Sequence, residues 1–160
     1  MTTAGNRVAK LLAKLDAAWT EFQESFAGLS DELLVQPGVG GEWSVRDTIA
    51  HVTWWDEEAL KHLPLILAGG RAPRYSETYG GIDAFNARMT ARQRDRSLAD
   101  VRAQAEATHR RLVAYVQSLP PERIVAEPRF RRRLRLDTFG HYPLHAEQIR
   151  AWRQTHAPDD

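Results

Sequence analysis

An all-α fold, a four-helix bundle with a short extra helix between its second and third long helices, is what this sequence predicts. Three observations lead there. Apolar residues recur at three- and four-residue steps along four long segments. Convincing runs of strictly alternating polarity are absent. The breakers Gly28, Gly69-Gly70 and Pro120-Pro121 fall between the periodic segments, where a bundle has its loops. Four helices with one apolar stripe each bury those stripes most simply against one another. With 160 residues, 42% of them hydrophobic and 27% charged, the chain is expected to form one domain over residues 1–160 with a proper core.

Val8, Leu11, Leu12, Leu15, Trp19, Phe22 and Phe26 mark the first helix, starting near Asn6 and ending at Gly28. Ser30 to Leu34 adds one further turn, and Gln36-Pro-Gly-Val-Gly-Gly41 is a loop. Ser44 caps the second helix, with Asp47 placed to complete a capping-box-like pair and Trp43 packed just outside. That helix carries Ile49, His51, Val52, Trp55, Ala59 and Leu63, and Pro64 is expected to kink or interrupt it. Residues 71–81 read as a surface loop, and Ile82 to Arg94 as the short extra helix, bearing Phe85 and Met89. Ser97 caps the third long helix, which buries Leu98, Val101, Ala105, Thr108, Leu112, Val116 and Leu119. Arg129 to Leu136 reads as a connector with a basic face, anchored by Phe130, Leu134 and Leu136. The last helix begins between Asp137 and His141 and carries Leu144, Ile149 and Trp152. Pro143 fits its first turn or a kink.

Composition narrows the function classes. The chain has no cysteine, so disulfides, thiolate-bound zinc and a cysteine nucleophile are excluded, and thiol chemistry would need an external thiol. A net charge of +1 argues for neither nucleic acid nor an anionic membrane as partner. The N-terminal residues lack the basic and apolar regions of a secretory signal, and no apolar run reaches the roughly 20 residues that span a bilayer. A cytoplasmic protein is the expectation. The arginines at 129 to 135 form either a solvated connector or an anion site for a carboxylate- or phosphate-bearing molecule. The glycines of the 36–41 loop follow no strand, which excludes a phosphate-cradling loop.

His141 and His145 carry the sharpest signal. Imidazoles four residues apart on a helix point the same way, as a divalent metal requires of two ligands from one helix. With His141 at zero and 100° per residue, His145 lies at about 40°, Gln148 at about −20°, Trp152 at about 20°, Leu144 at about −60° and Ile149 at about 80°. Both histidines therefore fall within the apolar stripe. The plain alternative is a pair of core histidines bonded to side chains or water. His51, amid the apolar face of the second helix, offers the third ligand. Three neutral imidazoles would hold Zn, Ni, Fe or Mn and leave positions open for water or substrate. Metal-bound water or thiolate is then the expected nucleophile.

Other residues carry less. Glu58 is a second-sphere acceptor or proton carrier, or a half-solvated residue near the bundle's end. His62, His109 and His156 read as surface residues. Glu147 lies on the far side of the last helix from the histidine pair, and the sequence there is not the His-Glu-x-x-His of zinc proteases. Trp54, Trp55, Tyr142 and Trp152 are candidates to line an apolar substrate pocket, although bundle aromatics more often simply pack.

The block Gly41-Glu-Trp-Ser-Val-Arg-Asp-Thr-Ile-Ala-His51-Val-Thr-Trp-Trp-Asp56 resembles the start of the second helix in DinB-like (DinB/YfiT) four-helix-bundle proteins. Asp83-Ala-Phe-Asn-Ala-Arg88, Arg94-Asp-Arg-Ser-Leu98 and Thr138-Phe-Gly-His-Tyr-Pro-Leu-His145 resemble more specifically the ClbS/DfsB branch. The resemblance covers nearly the whole chain. It implies a metal site at His51, His141 and His145, where the superfamily has its histidine triad. It also implies relatives that are thiol-dependent transferases and isomerases, often dimeric, using bacillithiol, mycothiol or glutathione. The ClbS branch includes a self-resistance protein that opens the cyclopropane of a genotoxin. Gly140 and Pro143 depart from the helix-friendly, often acidic residues of that pattern.

Three functions follow as expectations. The first is a metal-dependent enzyme that transfers a low-molecular-weight thiol to an electrophilic small molecule or hydrolyses one. The second is a metal-independent binding or self-resistance protein of the ClbS/DfsB type, with structural histidines. The third is a structural protein whose work lies at a homodimer interface.

Overall fold

The computed structural model describes residues 2–157. In chain order its helices are α1 (Thr3–Phe26), α2 (Asp31–Leu34), α3 (Val45–Leu67), α4 (Tyr75–Thr78), α5 (Ile82–Gln93), α6 (Leu98–Ser118), α7 (Pro121–Ala126), α8 (Pro128–Asp137) and α9 (Tyr142–His156). No strand occurs among the described residues, and none of their helices is long and apolar enough to cross a membrane. The four longest, α1, α3, α6 and α9, are the four that apolar periodicity predicts.

Local chemistry sets their ends. Ser44 accepts from the Asp47 amide while the Asp47 carboxylate accepts from the Ser44 amide at 2.9 Å, so two otherwise unpaired helix donors are satisfied reciprocally. Ser30 and Ser97 cap α2 and α6 in the simpler way. Pro64 does not interrupt α3, which continues to Leu67; so near the C-terminus a missing N–H disturbs only the final turn.

α3 is the centre of the molecule. It packs against α6, α8, α5 and α9, while α1 packs against α9 and α7. Enclosed on several sides, α3 buries its polar residues too, including Arg46, His51, Asp56, Glu58 and His62. Two apolar clusters surround it. One gathers Leu15, Phe22, Ile49, Val52, Ile149 and Trp152, and the other Leu63, Leu112, Val116, Ile124, Phe130 and Leu134. Buried Arg46 donates to the main-chain carbonyls of Gln93, Arg94 and Arg96, tying the end of α5 to α3.

Four expectations need correction. The basic stretch is a helix, α8, because Pro128 starts it at N1 and Phe130 and Leu134 recur on one buried face. Leu136 does not anchor that helix but is 60% exposed. Leu144 is likewise 60% exposed, because the buried residues of α9 are Tyr142, Ala146, Ile149 and Trp152. Their centre is rotated toward Ile149, which leaves the histidines at the margin of the buried face and Leu144 beyond it. Finally, Glu58, His62 and His109 are buried rather than solvated: His109 where α6 packs on α3, and Glu58 and His62 on the side of α3 that meets Tyr75 and α8.

Candidate metal centre

α3 delivers His51 from its second turn, and the chain just before α3 helps hold it. Trp43 is fixed by its own turn, its carbonyl accepting from the Gly38 and Val39 amides at 3.1 and 2.9 Å and its amide donating to Gly40 at 3.1 Å. Its indole stands 4.8 Å from the His51 ring, and Trp54 meets the same ring edge-on at 4.9 Å. Two indoles thus restrict the imidazole before any ligand contributes.

His141 and His145 come from the start of α9. His141 is its N-cap residue with helical backbone angles, so the four-residue spacing still places it above His145. Pro143 stands within the first turn, where its missing N–H leaves no helical bond broken. The turn from α8 is tight. Gly140 donates to the Arg135 carbonyl at 2.8 Å, and His141 and Tyr142 both donate to the Thr138 carbonyl at 2.7 and 2.9 Å. A β-carbon on Gly140 would lie 2.7 Å from the Arg135 carbonyl oxygen, which is backbone and cannot swing away. Gly140 is therefore the residue that lets α8 hand the chain directly to His141. A Gly140→Ala variant is expected to lose about 1–3 kcal/mol of stability and to bind divalent metal more weakly. Thermal unfolding and a metal titration check both.

The three rings meet. His51 Nε2 and His141 Nε2 are 3.0 Å apart, and His145 Nε2 and His141 Nε2 are 2.9 Å apart. One nitrogen from each ring lies within 4.8 Å of the others. Burial above all, then the neighbouring His141 and His145, lowers the His51 imidazole to about 2. Burial and His145 lower His141 to about 3 against the pull of the Asp137 main-chain carbonyl, and burial lowers His145 against its bond with Gln148. All three are thus neutral bases at physiological pH.

These facts test the fit of a metal. His141 Nε2, a single atom, faces two other imidazole nitrogens, and one proton or one lone pair cannot answer both as independent strong hydrogen bonds. His51 Nδ1 is buried without a hydrogen-bond partner. His141 Nδ1 is likewise buried without a hydrogen-bond partner. His145 Nδ1, 3.1 Å from Gln148 Oε1, is assigned as a donor there, leaving its Nε2 lone pair free. Nitrogens held at about 2.0–2.1 Å from one ion stand roughly 3 Å apart when they subtend a right angle. The donor set and its spacing therefore fit a divalent cation.

Beside the histidines opens a cleft of about 380 Å³. His51 and His141 form part of its wall, with Trp55, Asn86, Tyr75, Arg133 and Asp137, and the exposed Ile82 and Leu136 stand at its rim. Of the four aromatic residues expected to line a pocket, Trp55 does so. Trp54 packs on His51 and shares with Trp55 a bond to Asn86, while Trp152 is buried in the core and stacks on His156 at 4.5 Å. Tyr142 is fully buried and donates to Asp56 at 2.7 Å. Glu58 accepts from Tyr75 at 2.8 Å and pairs with His62 at 3.0 Å, behind the cleft wall rather than in it.

Arg133 connects cleft and network, donating through Nε to Asp137 at 2.5 Å and through Nη2 to the Tyr75 hydroxyl at 2.7 Å. Burial raises Asp137 to about 7 in spite of Arg133, and burial with Glu58 pushes the Tyr75 hydroxyl above its ordinary range. The remaining arginines divide. Arg129 is held by Glu127, while Arg131, Arg132 and Arg135 line a separate groove of about 1030 Å³ against α1, which none of the three histidines reaches.

Tyr75, Asn86, Arg133 and Asp137 were not singled out as site residues in sequence. Arg133 fell in the basic run and Asn86 in the Asp83–Arg88 motif, Tyr75 and Asp137 in neither, and neither motif signals a shared cleft. The sequence model of the DinB superfamily matches residues 14–149 of this chain. Comparison with curated proteins and with solved structures gives no match.

Proposed function

We propose that this chain, which belongs to the DinB superfamily, is a small metal-dependent enzyme acting on an electrophilic small molecule by thiol transfer or hydrolysis. The observation that carries the reading is the convergence of His51, His141 and His145 beside an open cleft. The four long helices serve as a four-helix bundle around that centre. The three imidazoles would hold a divalent ion, of which Zn, Ni, Fe and Mn are the candidates. Such an ion supplies Lewis-acid activation of a nucleophile at neutral pH. The chain's own residues do the rest. Trp43 and Trp54 keep the His51 ring oriented, Gln148 directs the His145 Nε2 lone pair inward, and Trp55 offers an apolar wall to the substrate.

Because the chain has no cysteine, any transferred thiol must come from outside as a low-molecular-weight thiol. Membership of the ClbS/DfsB branch and a homodimeric state belong to the same proposal and rest on the sequence motifs, and a cytoplasmic location is proposed with them. One structural observation favours the metal-independent alternative, a binding or self-resistance protein: the polar groups of the cleft are already oriented by protein contacts without any ion. Chelation separates the two. The enzyme reading expects about one equivalent of divalent metal by elemental analysis, and loss and recovery of activity on chelation and reloading. Full activity in metal-free protein overturns it.

A further inference from the structure

The cleft beside the histidines carries information about what it binds. Asn86 Oδ1 accepts from two indoles, Trp54 Nε1 at 3.3 Å and Trp55 Nε1 at 3.2 Å. An indole N–H can only donate, so the amide cannot be turned the other way round. Its planar geometry then places the NH2 group on the side away from the indoles. That group has no protein partner and is not sealed from solvent, and Asn86 belongs to the cleft wall. Two aromatic side chains thus hold a neutral hydrogen-bond donor at the wall.

Charge decides what that donor receives. The cation in the cleft is Arg133, and Asp137 already faces it through an ion pair. Its Nη2 is used by Tyr75, whose hydroxyl in turn is bonded to buried Glu58. Asp137 therefore offsets the guanidinium, and in the metal-free cleft an incoming anion finds that cation already paired, whereas an ion on His51 and His141 would add positive charge of its own. Trp55 supplies a broad apolar wall, and Ile82, 54% exposed, and Leu136, 60% exposed, extend it at the rim. A mostly apolar concavity with a few fixed polar groups is the form of a small-molecule site.

The geometry points to a substrate that is an uncharged molecule with an apolar or aromatic body and a carbonyl-type oxygen, which accepts from the Asn86 amide while the body lies against Trp55. Asn86 is then a specificity-determining residue. The inference rests on the cleft being the substrate cleft of the proposed centre, but it does not depend on which reaction follows.

The test uses two probes of similar size, N,N-dimethylbenzamide, which accepts but cannot donate, and the anion benzoate. Each is titrated into the full chain as purified and again after chelation. The indole N–H resonances of Trp54 and Trp55 are followed by NMR, since Asn86 touches both. In chelated protein the amide is expected to bind at least about ten-fold more tightly than benzoate, and in both forms it is expected to shift these resonances. In Asn86→Asp the carboxylate still accepts from both indoles but offers no donor, and amide binding should fall about ten-fold. The comparison of probes on the unaltered chain stands even if that variant fails to fold. Benzoate binding as tight as the amide in chelated protein, unchanged amide affinity in a folded Asn86→Asp, or no shift at either indole would overturn the inference. Because a bound ion itself attracts benzoate, the preference is read in chelated protein, where it stands or falls apart from the metal reading.

Discussion

Replacing His141 by alanine is expected to abolish stoichiometric metal binding while the chain still folds. His141 is the middle ligand: its Nε2 faces His51 at 3.0 Å and His145 at 2.9 Å, whereas the outer two rings meet edge-on with centroids 4.7 Å apart. Without it, one imidazole from α3 and one from α9 remain, a two-ligand set without the nitrogen that lies between them. Loss of a partner that merely orients a ligand already lowers metal affinity about 10–100-fold, so loss of the central ligand should exceed about 100-fold. A metal held at a free concentration of about 100 times its Kd stabilises the folded chain by about 2.7 kcal/mol. For a chain of this length that corresponds to a rise in Tm of roughly 5–10 °C. The rise should vanish in the variant. His141 is half-buried and sits at the helix end, so its removal should leave the fold intact. Elemental analysis after gel filtration and thermal unfolding with and without metal provide the check. Stoichiometric metal in His141→Ala would remove the triad.

A comparably large effect lies deeper in the core, beside Tyr142 of α9. Asp56 is completely buried on α3, and its Oδ1 accepts from Tyr142 at 2.7 Å. Its Oδ2 has no hydrogen bond, with His109 Nδ1 3.9 Å away beneath the stacked Trp19 ring. Burial raises the carboxyl from 3.8 to about 6, although His109 and Tyr142 pull it down. The folded chain therefore holds this proton more tightly than the unfolded chain. The associated stability is present below pH 3.8 and is lost as pH rises through about 6. At about 1.4 kcal/mol for each pH unit of that window, the loss is about 3 kcal/mol by pH 7.5. Asp56→Asn keeps an acceptor for Tyr142, turns a donor toward His109 and does not ionise. Its stability relative to the unaltered chain should rise by about 3 kcal/mol between pH 3.5 and pH 7.5. The depressed histidines act in the opposite sense, but they are common to both proteins and cancel in the difference. Urea unfolding of chelated protein at the two pH values measures it. An equal change at both would show that Asp56 does not titrate in that window.

The helical pattern was legible because it is local. A stripe repeating every 3.6 residues, a serine cap with its aspartate three residues on, and a proline at a helix start each depend on neighbours in the chain. The spacing of His141 and His145 is local in the same sense. The basic stretch misled in its form: Phe130 and Leu134 read as anchors and are buried, but two apolar positions four residues apart among arginines are too few to mark a helix, and their burial depends on α3 and the neighbouring apolar cluster.

What the sequence determined by itself was an all-helical chain, two histidines on one helix face and a third amid the apolar residues of another. Only the tertiary structure decided that His51 reaches the other two, because their 90-residue separation is closed by packing and not by any local periodicity. It also decided that the histidines stand at the margin of the buried face, where a cleft can reach them. The same packing buried Glu58, His62 and His109, and brought Asn86 from α5 beside Arg133 from α8. Periodicity shows which way a side chain points from its own axis; which partner lies there is fixed when helices distant in sequence exclude water from a common core.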